Sequence, residues 1–232
     1  MRSEPSSLAS TIEDRGFAVL PGIFPRRECE ILLDQINRSA LTRRKAGVRH
    51  AMKDAATAAL ARDERLLDIA REVVGDKALP FRATLFDKSR QGNWLVVWHQ
   101  DTALPLLERR EAAGWGPWSK KDGVVYAHAP ATALAQVLAL RVHLDDSNPD
   151  NGPLRVLPGT HNQGVLTDDA IQELASKVAP VACVADRGGV VAMRPLIVHA
   201  SSKSKSEIPR RVLHIEYAAC QKFDVGLELV LA

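Results

Sequence analysis

Trp98-His99-Gln100-Asp101-Thr102 is the stretch on which the reading of this chain turns. In an extended strand residues i and i+2 leave the same face, so His99 and Asp101 can address one ion while Gln100 points away. A third ligand must come from another strand laid alongside. His199 is the candidate, because it closes the apolar run Val190-Val191-Ala192-Met193-Arg194-Pro195-Leu196-Ile197-Val198. That run reads as buried strand interrupted at Pro195. Two histidines and one carboxylate on one side of a metal form the facial arrangement of non-haem Fe(II) sites, which leaves other positions open. Arg210 and Arg211 follow His199. A guanidinium can hold a carboxylate through two parallel hydrogen bonds, which is what a dicarboxylate co-substrate needs.

From Leu79 onward the pattern is one of strands. They are expected over Leu79–Phe86, Asn93–His99, Ala133–Leu144, Leu154–Leu157, Val181–Ala185, Val190–Met193, Leu196–His199 and Arg211–Ala218. Helices come before them. Pro25-Arg26-Arg27-Glu28 opens one with Cys29, Leu32, Leu33 and Ile36 at helical spacing, and a second amphipathic stretch runs from about Asp54 to Val74. Gly16–Gly22 contains a short strand, and a helix capped by Thr167 and Asp168 occupies about Thr167–Val178. The fold class expected is mainly β with flanking helices. One domain over 1–232 is expected, with a helical N-terminal layer to about 78, a barrel core from about 79 to 218, and a loop from about 102 to 130.

Three quoted segments resemble the phytanoyl-CoA dioxygenase family: His99-Gln100-Asp101, Asp150-Asn151-Gly152-Pro153-Leu154-Arg155-Val156-Leu157-Pro158-Gly159-Thr160-His161, and His199-Ala200-Ser201 running on to Pro209-Arg210-Arg211. The resemblance covers roughly residues 80–218. It implies a double-stranded β-helix, the jelly-roll or cupin-like barrel. It also implies Fe(II) held by His99, Asp101 and His199, with 2-oxoglutarate and O2 as co-substrates. Arg210 matches the family's 2-oxoglutarate arginine, Ser201 a residue that helps bind the same carboxylate, and Gln100 a position near the co-substrate. Arg211 is the fallback if the strand slips by one residue. The reaction implied is hydroxylation of an unactivated C–H bond of a small molecule, with release of succinate and CO2. Halogenating members carry a small residue where Asp101 stands, so hydroxylation is favoured over halogenation, while desaturation or ring closure would use the same ligands. A cupin-like metal protein without oxygenase activity, either a Zn hydrolase or isomerase or a 2-oxoglutarate sensor, is the alternative. Arg210 and Ser201 argue against the hydrolase.

The loop from Thr102 to Pro130 leaves the metal strand directly and carries Trp115 and Trp118. It reads either as a lid that contributes substrate contacts or as a satellite cluster on the barrel rim. Trp115, Trp118 and Trp98 are the candidate substrate contacts, and with Trp94 they favour an apolar or ring-bearing molecule. His50, His128, His143, His161 and His214 are expected to be structural. Asp145 and Asp146 form a carboxylate pair open to acid–base work but read as solvated loop charges; Lys88 could reach 2-oxoglutarate in the fold the resemblance implies but reads as a surface lysine; and Asn151-Gly152 reads as a turn.

Composition narrows the classes further. With 31 basic and 28 acidic side chains the formal net charge is only +3, so no nucleic-acid partner is expected. Three cysteines at unrelated positions, Cys29, Cys183 and Cys220, suit a reducing compartment, and a cytoplasmic location is expected. No apolar run is long enough to span a bilayer, so no membrane partner is expected either. The sequence does not specify an oligomeric state.

Overall fold

The computed structural model describes residues 7–39, 47–89 and 92–231. Four helices come early: α1 (Leu8–Arg15), α2 (Arg26–Arg38), α3 (Ala55–Ala61) and α4 (Glu64–Val74), with the strand β1 (Phe17–Leu20) between the first two. Then follow β2 (Leu79–Lys88), β3 (Val96–His99), β4 (Ala103–Leu106), β5 (Trp118–Lys121) and β6 (Val124–His128). The short helix α5 (Ala131–Leu134) leads into β7 (Val137–His143) and β8 (Leu154–Val156). After α6 (Asp168–Lys177) come β9 (Val181–Cys183), β10 (Val190–Met193), β11 (His199–Ser201) and β12 (Arg210–Ala218).

Two antiparallel sheets form the body, a five-stranded one in the order β1-β10-β7-β12-β2 and a four-stranded one in the order β3-β11-β8-β9. Strand alternation sorts their side chains. Leu138, Leu140, Val142, Leu213, Ile215 and Tyr217 leave the outer face of the larger sheet and pack with Ile12, Leu33, Ile36 and Leu66 of the helices. Ala139, Val191 and Met193 leave its inner face and meet Leu154, Val156, Cys183 and Ile197 of the smaller sheet. The same parity turns Arg141 and His143 inward on β7, and Arg210, Val212, His214 and Glu216 inward on β12. One end of the interior is therefore apolar and the other polar and charged.

Several boundaries differ from the sequence reading, each for a local reason. The stretch from Asp54 to Val74 is two helices, because Asp54 accepts from the Thr57 amide at 2.9 Å and Asp63 accepts from the Arg65 amide at 3.0 Å, so each aspartate starts its own helix. The strand expected over Ala133–Leu144 opens as α5, and the strand expected over Leu196–His199 begins only at His199. Residues 194–197 form a turn, with the Ile197 amide bonded to Arg194 O at 3.2 Å. The helix α1, capped by Ser7 and closed by Gly16, lies outside the expected elements.

The largest correction concerns residues 102–130, which are not a structureless loop. They form a third sheet in the order β4-β6-β5. Asp122 (φ 51) and Gly123 (φ 86) make the tight turn that joins β5 to β6, a two-residue hairpin connection. Trp115 is 8% exposed and packs on Phe223 at 5.2 Å between ring centroids, inside a cluster that includes Leu104, Leu106, Ala127 and Leu229. Trp118 packs against the same cluster. We expect Trp115→Ala to lower unfolding stability by about 3–5 kcal/mol, as deletion of a buried aromatic does, measured by urea denaturation. A lid role would instead leave stability intact and shift substrate affinity.

Candidate metal centre and co-substrate pocket

His99 on β3 and His199 on β11 are direct register partners across an antiparallel pair. A register shift follows, since Ser201 pairs with Val96 where an unbroken ladder would pair it with Val97. Asp101 lies past the end of β3, its amide held by Pro195 O at 3.0 Å. His99 Nδ1 lies 2.8 Å from Val97 O, and His199 Nδ1 lies 2.9 Å from Ile197 O. A carbonyl oxygen only accepts, so each Nδ1 carries the proton and each Nε2 keeps its lone pair. Those Nε2 atoms face the carboxylate of Asp101, His99 at 3.6 Å and His199 at 3.5 Å. The three ligand atoms lie within 4.8 Å of one another. Among the described residues no other group of histidine, cysteine and carboxylate side chains meets this condition.

The electrostatics fit a cation at that point. Burial alone would raise the Asp101 pKa, but His199, then His99 and His214, outweigh it and hold the carboxyl well below the ordinary range. Burial also lowers His199 to about 4. Burial works against a charge on His99 as well, yet the adjacent Asp101 carboxylate outweighs it and raises its pKa. An ionised carboxylate beside a neutral imidazole with an open lone pair is a donor set for a divalent ion.

A second group of side chains occupies the inner face of β2 and β12. Arg210 is 3% exposed; its Nε donates to Asn151 O at 3.1 Å and its Nη2 approaches Ser201 Oγ at 3.5 Å. Arg210 Nη1 is buried without a hydrogen-bond partner, and so are both ring nitrogens of His143 and Arg141 Nε. Ser201 Oγ donates to Gly152 O at 2.8 Å and accepts from Lys88 Nζ at 2.7 Å. Lys88 also donates to Ser202 O. Gly152 (φ 67) is required here, since a Cβ would fall 2.3 Å from Ser202 O. The Asn151-Gly152 turn therefore does more than reverse the chain: it brings two carbonyls to the Arg210 and Ser201 side chains. A buried donor without a partner, such as Arg210 Nη1, is costly, and a carboxylate is a group that can satisfy it.

Lys88 is the residue that the sequence reading misplaced. It is 1% exposed, not a surface lysine, and burial, then Arg210 and Arg141, depress its pKa to about 8. Its even-numbered place in line with Arg82, Thr84 and Phe86 was the available signal. Arg211 faces outward and pairs with Asp145 at 2.7 Å and 2.9 Å, so the register selects Arg210. Asp145 is thus buried in ion pairs with Arg211 and Arg187 and is not a solvated loop charge. Asp146 pairs with Arg26 at 2.9 Å.

Gln100 is held by backbone groups. Its Nε2 donates to Gly164 O and Leu196 O, at 2.9 Å and 2.7 Å, and its Oε1 accepts from the Leu166 amide at 2.8 Å. The side chain braces β3 against neighbouring backbone on the face opposite His99, with both Nε2 hydrogens used. Trp98 shares that face, packed by Leu157, Ile171 and Val198 with Arg155 over its ring. A cavity of about 340 Å³ opens beside Asp101, lined among others by Arg82, Phe86, Trp94, Tyr126, His214 and Glu216. Trp94 is its tryptophan; Trp98, Trp115 and Trp118 do not line it. Arg82 and Glu216 form a buried bidentate pair across β2 and β12. His214 Nδ1 accepts from Arg141 Nη1 at 3.0 Å, and His161 Nε2 contacts Glu13 O at 3.1 Å, so both are held in structural contacts.

Comparison with known proteins fits this geometry. The family description "Phytanoyl-CoA dioxygenase (PhyH)" matches residues 12–212. The chain belongs to the phytanoyl-CoA dioxygenase family. It is 28% identical over 138 residues to an L-proline trans-4-hydroxylase of Streptomyces griseoviridis, covering 48% of this chain and 51% of that one. It is 26% identical over 184 residues to an ectoine dioxygenase of Sphingopyxis alaskensis, covering 70% of this chain and 53% of the relative. The chain thus spans about half the length of the curated relatives it matches. Among solved structures it resembles HygX from Streptomyces hygroscopicus, solved with nickel and 2-oxoglutarate, at a TM-score of 0.65 and 19% identity, covering 89% of this chain and 84% of that one. The likeness in fold supports the double-stranded β-helix expected for a family member.

Acid sensitivity follows from the family barrel's polar end. Burial, then Arg141 and Arg210, lower His143 from 6.5 to about 3. The native chain keeps it neutral where the unfolded chain takes a proton, so its contribution is present above 6.5 and is lost as pH falls toward about 3. The urea midpoint of metal-free protein should drop on acidification from about pH 7 to about pH 5, and His143→Asn should flatten part of that slope. An identical slope in the variant would remove His143 from the explanation.

Proposed function

We propose that this chain is an Fe(II)- and 2-oxoglutarate-dependent dioxygenase that hydroxylates an unactivated C–H bond of a small organic substrate, releasing succinate and CO2. The observation that carries this reading is the pair of imidazoles whose Nδ1 protons are tied to backbone carbonyls, leaving both Nε2 lone pairs facing Asp101. His99, Asp101 and His199 would hold the iron, which supplies the open positions and the redox chemistry for dioxygen. Arg210, Ser201 and Lys88 would hold the far carboxylate of 2-oxoglutarate, with Arg210 Nη1 giving the hydrogen bond it now lacks. The names of the two curated relatives, a hydroxylase and a dioxygenase, support the same reaction class. A Zn hydrolase would have no use for three buried donors facing that pocket.

The neighbouring backbone sets the geometry of the site. Val97 and Ile197 fix the ligand tautomers through their carbonyls, and Gln100 fixes the strand end that carries Asp101. We read the whole chain, 1–232, as one such domain. We also place it in the cytoplasm, because Cys29, Cys183 and Cys220 are all free. Among the described residues no helix is long and apolar enough to cross a membrane.

The test is anaerobic. Fe(II) and 2-oxoglutarate together should raise a charge-transfer band in the visible, and His199→Ala should abolish it. Arg210→Met should raise the 2-oxoglutarate concentration needed for half-saturation by about 30-fold or more, as loss of one partner of a buried charge pair costs roughly 2–5 kcal/mol. No band in the unaltered protein would overturn the reading.

A further inference from the structure

The cavity beside Asp101 has two carboxylates, and both are committed. Glu216 gives both oxygens to Arg82, while Asp101 sits between the two imidazoles. Its cations at the mouth are not matched in the same way. Among the described residues Lys121 meets no carboxylate within ion-pair distance; its ammonium stands 5.7 Å from the centre of the Tyr126 ring. Arg49 reaches Asp122 only at 4.0 Å, with half of its side chain exposed. Both line the cavity, together with His50. His50 Nε2 is buried and has no hydrogen-bond partner. Its backbone is left-handed at φ 55, a conformation that costs a non-glycine residue energy and that concentrates at functional sites. The apolar part of the wall is aromatic, formed by Phe86, Trp94 and Tyr126.

We propose that the substrate is an organic acid: a carboxylate seated between Lys121 and Arg49, an apolar or ring-bearing body against Trp94 and Phe86, and no free amine. The inference rests on the dioxygenase reading and adds the chemistry of the molecule oxidised. An anion satisfies the two mouth cations and gains a donor if His50 presents its proton at Nε2. A free ammonium would meet those cations and find no unclaimed carboxylate. The cavity volume of about 340 Å³ suits a molecule of roughly amino-acid to phenylpropanoid size.

A matched trio tests this, 3-phenylpropanoate, 3-phenylpropanamide and 3-phenylpropylamine. Each is titrated calorimetrically into anaerobic protein loaded with Fe(II) and saturating 2-oxoglutarate, so that the Arg210 pocket is filled. The acid should bind at least tenfold more tightly than the amide, and the amine most weakly. The double variant Arg49→Met, Lys121→Met should lose the difference between acid and amide, whereas Lys121→Arg should keep it. An amine that binds as well as the acid, equal or absent binding of the acid, or an acid preference that survives in a folded double variant would overturn the proposal. The charge-transfer band, recorded before any probe is added, judges the dioxygenase reading separately.

Discussion

Two hydrogen bonds from imidazole Nδ1 to carbonyls two residues back in the chain govern the rest of this structure. Without them each ring could turn or exchange tautomers, and the Nε2 lone pairs would not share a focus with Asp101. The bonds are local, but their common aim is not. It needs β3 and β11 to place His99 opposite His199, and it needs the Asp101 amide to be caught by Pro195 O. Register therefore converts three ordinary side chains into one donor set. A slip of one residue would turn both histidines to the outer face.

The barrel has a divided interior for the same reason. Period-two alternation on β7, β12 and β2 sends aliphatic residues outward to the helices and charged residues inward, the reverse of a simple half-buried sheet. Burying Arg141, Arg210, Lys88 and Arg82 is unfavourable unless each cation finds a partner. Glu216 serves Arg82. The others are left with carbonyls, a hydroxyl, a neutral imidazole and several unpartnered nitrogens. On the reading proposed above, an anionic co-substrate would complete such an interior. The apolar plug of Phe17, Val156, Met193 and Ile197 at the other end, with the helical layer outside, carries the stability that the polar end lacks.

Much of this was legible in the sequence, and the gaps have physical causes. The His-x-Asp spacing and the distal His199 followed from side-chain periodicity, the choice of Arg210 from a family resemblance, and the helix with Cys29, Leu32, Leu33 and Ile36 showed its buried face. The third sheet was missed because β4 and β5 are only four residues long and β6 five, each too short for a periodic signal. Its one clear mark was Asp122-Gly123, a hairpin turn signal that lay inside a stretch weighted by tryptophans. Those tryptophans left the lid and packed-rim readings both open for a related reason. A large aromatic beside a metal strand can line a site or fill a core, and only tertiary packing decides that Trp115 meets Phe223 and Trp98 lies beneath α6. Lys88 illustrates the converse, a residue whose type says surface and whose strand parity says interior.

The central claim is that one ion sits where the two Nε2 atoms and Asp101 converge. Anomalous diffraction at the iron edge, on crystals grown anaerobically with Fe(II), tests it most directly. The account predicts a single strong peak about 2.0–2.2 Å from His99 Nε2, an Asp101 carboxylate oxygen and His199 Nε2. A peak at any other group of side chains, or one that contacts His99 and Asp101 but not His199, would contradict it.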